Sequence, residues 1–178
     1  MHAGLLTLYL HIDAIDTLLP KQFFKPIPSV RFAFDWQKIY YGDIDSIANP
    51  LLPNIMTDGL GTNNGAGFGW EDMDIFKFGL EWERTEQWTY RFGYSYSDDQ
   101  PIPEDSVMFN ILAPGVIEQH VTFGFTRTFE SQNELNFAFM YAFENDVEGP
   151  NPMEAPGQQK IKLEMDQWEV SLGYSWVF

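Results

Sequence analysis

Six stretches of this chain alternate large apolar side chains with small or polar ones at a strict period of two. In VRFAFDWQ the large positions are Val30, Phe32, Phe34 and Trp36, and in IFKFGLEWE they are Phe76, Phe78, Leu80 and Trp82. QWTYRFGYSYS sets Trp88, Tyr90, Phe92, Tyr94 and Tyr96 against Thr89, Arg91, Gly93, Ser95 and Ser97. VTFGFTRTF and LNFAFMYAF continue through Val121, Phe123 and Phe125, then Leu135, Phe137, Phe139, Tyr141 and Phe143. QWEVSLGYSWVF carries Trp168, Val170, Leu172, Tyr174, Trp176 and Phe178 to the last residue. Successive side chains of a β-strand point to opposite faces, so a period of two marks strands. The chain reads as all-β.

Two architectures accommodate such strands. In a soluble sandwich or small barrel the bulky face is the core. In a membrane barrel the bulky face meets lipid and the small polar face lines the lumen. The connections favour the second. RTEQ (84–87) and ESQN (130–133) are tight polar turns, whereas those near 42–73, 99–117 and 144–159 are long. Outer-membrane barrels alternate short periplasmic turns with longer extracellular loops in this way. A strand of roughly 10 residues at about 3.3 Å each, tilted about 40°, rises about 25 Å, the height of the apolar band. Trp82, Trp88 and Phe129 flank the tight turns, and Tyr94, Tyr96 and Tyr141 lie toward the long loops, as aromatic girdles do. Arg127 interrupts the bulky face beside a tight turn, where its long side chain can snorkel to the interface. The expected fold is a transmembrane antiparallel up-and-down meander, six or seven strands of a larger barrel. The seventh rests on the alternation of Leu6, Leu8, Leu10 and Ile12.

Charge and composition narrow the function. The 26 acids against 10 bases give a net charge of -16, which argues against nucleic acid as a partner. Fifteen of the acids lie in the long connections (42–74, 98–118 and 144–158), which hold no Lys or Arg. They keep the loops solvated, or bridge through divalent cations to anionic lipopolysaccharide. There is no cysteine, and His2, His11 and His120 lack ligand spacing, so no metal is expected. GLGTNNGAGFGW lacks the Lys-Ser/Thr of a phosphate loop, and no nucleophile motif surrounds any serine, so no enzyme is expected. No apolar run reaches the roughly 18 residues of a membrane helix. The first residues lack a basic stretch and a cleavage site, and no signal peptide is read there.

The loop wording is more specific than the alternation. FDWQKIYYGDI, NPLLP, NNGAGFGWED, FKFGLEWERTEQWTYRFGYSYSDD and QPIPEDSVMFNILAPGVIEQHVTFGF resemble the C-terminal part of the FadL-type outer-membrane long-chain fatty acid transporters, which include aromatic-hydrocarbon channels. The resemblance covers residues 26–178; residues 1–25 form an atypical N-terminal segment without it. It implies a fourteen-stranded barrel with an N-terminal hatch, so this chain is expected to be a C-terminal fragment of such a protein. It further implies passive outer-membrane transport of long-chain fatty acids or other hydrophobic compounds, with no cofactor. Two alternatives remain: a structural barrel fragment without transport, and a soluble fatty-acid-binding β-barrel. The closing aromatics Tyr174, Trp176 and Phe178 resemble the signal by which the outer-membrane assembly machinery recognises barrels.

A fatty acid needs an apolar path for its tail and a cation or donor for its carboxylate. Lys77 and Arg91 are the inward cations, and Met140 offers apolar lumen surface, so these three are the candidate substrate contacts. If the 84–87 turn pairs Trp82 with Trp88, Arg91 falls opposite Gly79, with Lys77 and Glu81 as diagonal neighbours. A structural ion pair is the plainer role for these charges.

Overall fold

The computed structural model of the chain describes residues 22–177. It is all-β, a single antiparallel sheet of seven strands hydrogen-bonded in chain order. The strands are β1 (Gln22–Ile27), β2 (Val30–Ile39), β3 (Met73–Thr85), β4 (Trp88–Ser97), β5 (Gln119–Thr128), β6 (Glu134–Pro150) and β7 (Lys160–Ser175). Among the described residues β1 and β7 are the two edges, and the sheet does not close on itself. No helix among the described residues is long and apolar enough to cross a membrane.

The seventh described strand comes from a stretch whose sequence does not alternate. The alternation at Leu6–Ile12 lies outside the described residues, and the added strand is Gln22–Ile27, joined to β2 by the turn at 28–29. Its sequence, QFFKPI, carries adjacent phenylalanines and a proline, so no period of two announced it. The register shifts between Phe24 and Ile27, as a proline without a backbone donor requires.

From β2 to β5 the ladder keeps the two faces apart. Phe34, Phe78, Tyr94 and Val121 stand abreast, as do Phe32, Leu80, Phe92 and Phe123. Both rows continue across β6 and β7, through Tyr141 and Trp168 and through Phe139 and Val170. Rings in adjacent strands touch, with centroids 5.1 Å apart for Phe34 and Phe78 and 5.2 Å for Phe92 and Phe123. Yet this aromatic face is the open one. Phe78 is 50 % exposed, Trp168 70 % and Leu172 71 %. Thr126, Ala142 and Ser97, on the opposite face, are buried.

The β3–β4 register differs from the expected one by two residues. Trp82 pairs with Tyr90, and Trp88 stands opposite Thr85 across a bulge. The Thr85 hydroxyl accepts hydrogen bonds from the Gln87 and Trp88 amides, which tightens the turn to residues 86–87. Arg91 therefore faces Glu81 directly, and Gly79 faces Gly93. Arg127, at the same rim, lies over the rings of Trp88 and Phe129 at 5.3 and 4.9 Å. Its charge rests on two π-faces there.

The third long connection also differs. β6 runs on to Pro150 and β7 begins at Lys160, so the first part of the expected loop at 144–159 is strand and only 151–159 connects the two. A bulge after Ala142 inserts one extra residue into β6. Beyond it the side-chain parity of β6 flips. Asn145, Val147 and Gly149 then share a face with Met165, Leu163 and Ile161 of β7, the strand that carries Trp168 and Leu172 on its other face. This extension holds bases as well as acids: Lys160 pairs with Glu148, and Lys162 with Asp146 and Glu164.

The hydrophobic core lies here and not under the sheet. Ile102, Val107, Val116 and Val147 are its buried residues, with Trp70, Ile161, Leu163 and Met165 packed against them. Segment 98–118 supplies most of it and lies on the hairpin extension so closely that a Cβ on Gly149 would overlap the Glu104 carbonyl oxygen. Gly149→Ala is expected to force this segment off the hairpin at a cost of about 1–3 kcal/mol. Amide hydrogen exchange should rise across 102–116 while β3–β5 stay protected; unchanged exchange would contradict the packing.

Candidate functional site

On the small-residue face of the sheet, one row of charges is joined across neighbouring strands. Arg31 on β2, Glu81 on β3 and Arg91 on β4 are register partners, and Glu81 binds both guanidinium groups. Its Oε1 lies 2.9 Å from Arg31 Nη1, and its Oε2 accepts from Arg91 Nε at 2.9 Å. Arg91 Nη1 also donates to Thr126 Oγ1 at 2.7 Å, and that hydroxyl donates onward to Asn136 Oδ1 at 2.7 Å. The network crosses five strands. A carboxylate between two guanidinium groups is stabilised from both sides, and the hydroxyl relay takes up a further donor of Arg91.

The three candidate substrate contacts share this face but not one place. Arg91 belongs to the row just described. Lys77 lies two rungs away, opposite Asp35 and Ser95, and donates to Gln37 Oε1 at 2.7 Å. Met140 is on β6, between Thr122 and Glu169. The structure thus brings Arg91 together with Glu81, Arg31, Thr126 and Asn136, not with Lys77 or Met140. Arg31 and Asn136 were absent from the candidate set. Both alternate with large apolar neighbours, and only the register across the long 40–72 connection reveals what Arg31 meets.

Of the expected assembly signal, Tyr174 and Trp176 touch edge to face at 4.9 Å. Asn133 in the β5–β6 turn donates to the Tyr174 hydroxyl and accepts from the Val177 amide, so it fastens this end of the chain to the turn. Phe178 lies outside the described residues.

At the opposite rim the long connections are ordered by side-chain amides. Asn49 donates to the Asn63 and Gly65 carbonyls, and its own carbonyl accepts from the Gly67 and Gly69 amides. Asn110, fully buried, donates to the Phe68 and Ser106 carbonyls and accepts from Trp70 Nε1 at 2.6 Å. It thereby joins segment 40–72 to segment 98–118. Phe68 stacks on Phe109 at 5.0 Å, and Tyr41 meets Trp70 edge to face at 4.9 Å. Burial there pushes the Tyr41 phenol above its ordinary pKa. The hydrogen bond from Lys160, on the hairpin extension, holds the Glu148 carboxyl below its ordinary value. Among the described residues no group of three or more His, Cys, Asp or Glu could hold a metal ion.

No family model and no curated protein matches the chain. The geometry therefore carries the functional argument. It generates a direct test. Glu81→Ala leaves two guanidinium groups facing each other, whereas Arg91→Ala leaves Glu81 paired with Arg31. The first should destabilise the sheet by about 1–3 kcal/mol, and the second by less. Urea unfolding in detergent measures both, and an equal or reversed order would show that the row is not built around Glu81.

Proposed function

We propose that the chain forms one wall of an outer-membrane β-barrel that passes long-chain fatty acids or other hydrophobic compounds without catalysis, as its resemblance to the FadL-type transporters implies. The observation that carries this reading is the inverted burial of the sheet. Phe32, Phe34, Phe78, Phe92, Trp168 and Leu172 stand exposed on one face while Thr126, Ala142 and Ser97 are buried on the other. A soluble carrier needs the reverse, because burying aromatic area is its main source of stability. In hydrocarbon the open aromatic face is the stable one, and the polar side lines the lumen.

Closure follows from the same physics. Each edge strand leaves a row of backbone N–H and C=O groups without partners, and in lipid each such group costs several kcal/mol. The wall therefore requires further strands before it can span a membrane. β1 and β7 run in the same direction, being the first and last of seven antiparallel strands. An all-antiparallel barrel then takes an odd number of additional strands, which gives an even total, as in bacterial barrels.

For the substrate, the lumen face supplies apolar surface at Met140, Ala138 and Ala142, beside the charges of the Arg31–Glu81–Arg91 row, of Lys77 with Asp35, and of Glu83, Glu134 and Glu169. A charged row among small residues suits a path that a tail slides past and a head group touches in passing.

Two experiments test the reading. In a barrel closed by the strands of a FadL-type relative, Phe92→Arg should cost about 2–4 kcal/mol of insertion stability in lipid, and Thr122→Arg, on the adjoining strand but the other face, much less. Equal costs would remove the membrane assignment. Joined to the strands of a FadL-type relative, this wall should restore uptake of labelled long-chain fatty acid to cells lacking their own transporter. The seven strands with both edges open should not. A folded hybrid without uptake would remove the transport assignment while leaving the membrane one.

A further inference from the structure

The rim formed by the long connections holds an open cleft of about 520 Å³ that lies apart from the charged row of the sheet. Its apolar lining comes from two segments: Leu51 and Leu52 from 40–72, and Met108 and Phe109 from 98–118. Leu52 is 40 % exposed. These segments are tied by Asn110 and by the Glu71 amide, which donates to the Pro101 carbonyl, so the apolar walls are held apart instead of collapsing together. Pro152, from the hairpin tip, closes one end.

Three carboxylates, Glu71, Glu104 and Asp105, line the same cleft. Among the described residues none of the three side chains takes a hydrogen bond or an ion pair, although acids elsewhere on this rim, such as Asp72 and Asp74, do. Segments 40–72, 98–118 and 151–159 contain no Lys or Arg. The bases of the neighbouring hairpin extension, Lys160 and Lys162, are paired with Glu148, Asp146 and Glu164. Lys160 also lies near enough to Glu104 for their charges to attract, so the cleft combines an apolar floor with carboxylates that are only partly compensated and that no side-chain donor contacts.

We propose that this cleft is a binding site for small apolar cations: an alkyl or aryl body seated on Leu51, Leu52, Met108 and Phe109, with a protonated amine directed at Glu71, Glu104 and Asp105. The body removes apolar surface from water, and the ammonium supplies the charge and the donors the carboxylates lack. A fatty acid anion of the same length is excluded, because three like charges meet its head group. The site needs only the rim segments and is independent of whether the sheet transports anything.

The test is calorimetric titration of the full chain in a nonionic detergent at low salt with hexylammonium, 1-hexanol and hexanoate. Hexylammonium should bind about ten-fold more tightly than 1-hexanol, and hexanoate should show no saturable heat. The double variant Glu104→Gln, Asp105→Asn should weaken hexylammonium by about ten-fold and leave 1-hexanol unchanged. Leu52→Ser should weaken both. Glu86→Gln with Glu130→Gln, at the tight-turn rim, matches the charge change and should alter nothing. Hexylammonium binding no tighter than 1-hexanol, no saturable binding at all, or an equal loss in the Glu86 and Glu130 variant would overturn the proposal.

Discussion

The backbone ladder that holds one register along the body of β2 to β5 and across to the middle of β6 and β7 is the constraint on which the rest depends. Side chains alternate faces at every residue, so a one-residue slip anywhere would move an aromatic row to the polar side. Between Val30 and Ala142 the one shift, between Glu83 and Thr85, falls at the β3–β4 turn and leaves the rows of the sheet intact. Glu81 meets two arginines because three strands hold register at once, and the aromatic rows run unbroken for the same reason. The small residues of the covered face let neighbouring strands and side chains approach there; a Cβ at Gly124 would come within 2.9 Å of the Phe137 carbonyl oxygen.

The single interruption in β6 is as informative as the continuity. One extra residue after Ala142 turns an outward aromatic strand into the wall of a small apolar core without a change of chain direction. Below the bulge the sheet keeps its large side chains open. Above it Val147, Leu163 and Met165 turn inward toward Ile102, Val107 and Val116. Two solvents would account for the two halves: hydrocarbon around the lower sheet and water around the upper hairpin. The same rim is where Asn49 and Asn110 order backbone that belongs to no sheet, work that amides do in water-facing loops by occupying several carbonyls at once.

The middle of the molecule was legible because β2 to β5 obey the simplest rule a strand can obey. β1 was not, since Phe23, Phe24 and Pro26 break the period. The hairpin extension was not, since Ile161, Leu163 and Met165 alternate in the opposite phase from Trp168, Val170 and Leu172, and a lone Val147 among acids looks like loop. The partner of Arg91 was missed by two residues because the Thr85 hydroxyl closes the turn one step later than the polar run RTEQ suggests. Arg31 was missed because its partner lies across a connection whose length hides the register. Local pattern fixes faces; register needs the turn's own chemistry, and the rim needed Asn110, whose role depends on contacts 42 residues away in sequence.

The central claim is that the aromatic face meets lipid and the polar face does not. The chain contains no cysteine, so single cysteines can be placed freely and labelled with a nitroxide. A scan along β4 from Trp88 to Ser97, with the protein closed into a barrel in lipid vesicles, reads each face directly. Oxygen, which concentrates in the bilayer, should collide most with labels at positions 90, 92, 94 and 96, and a water-soluble nickel complex with those at 89, 91, 93 and 95. The reverse phase, or one phase shared by both probes, would contradict the account.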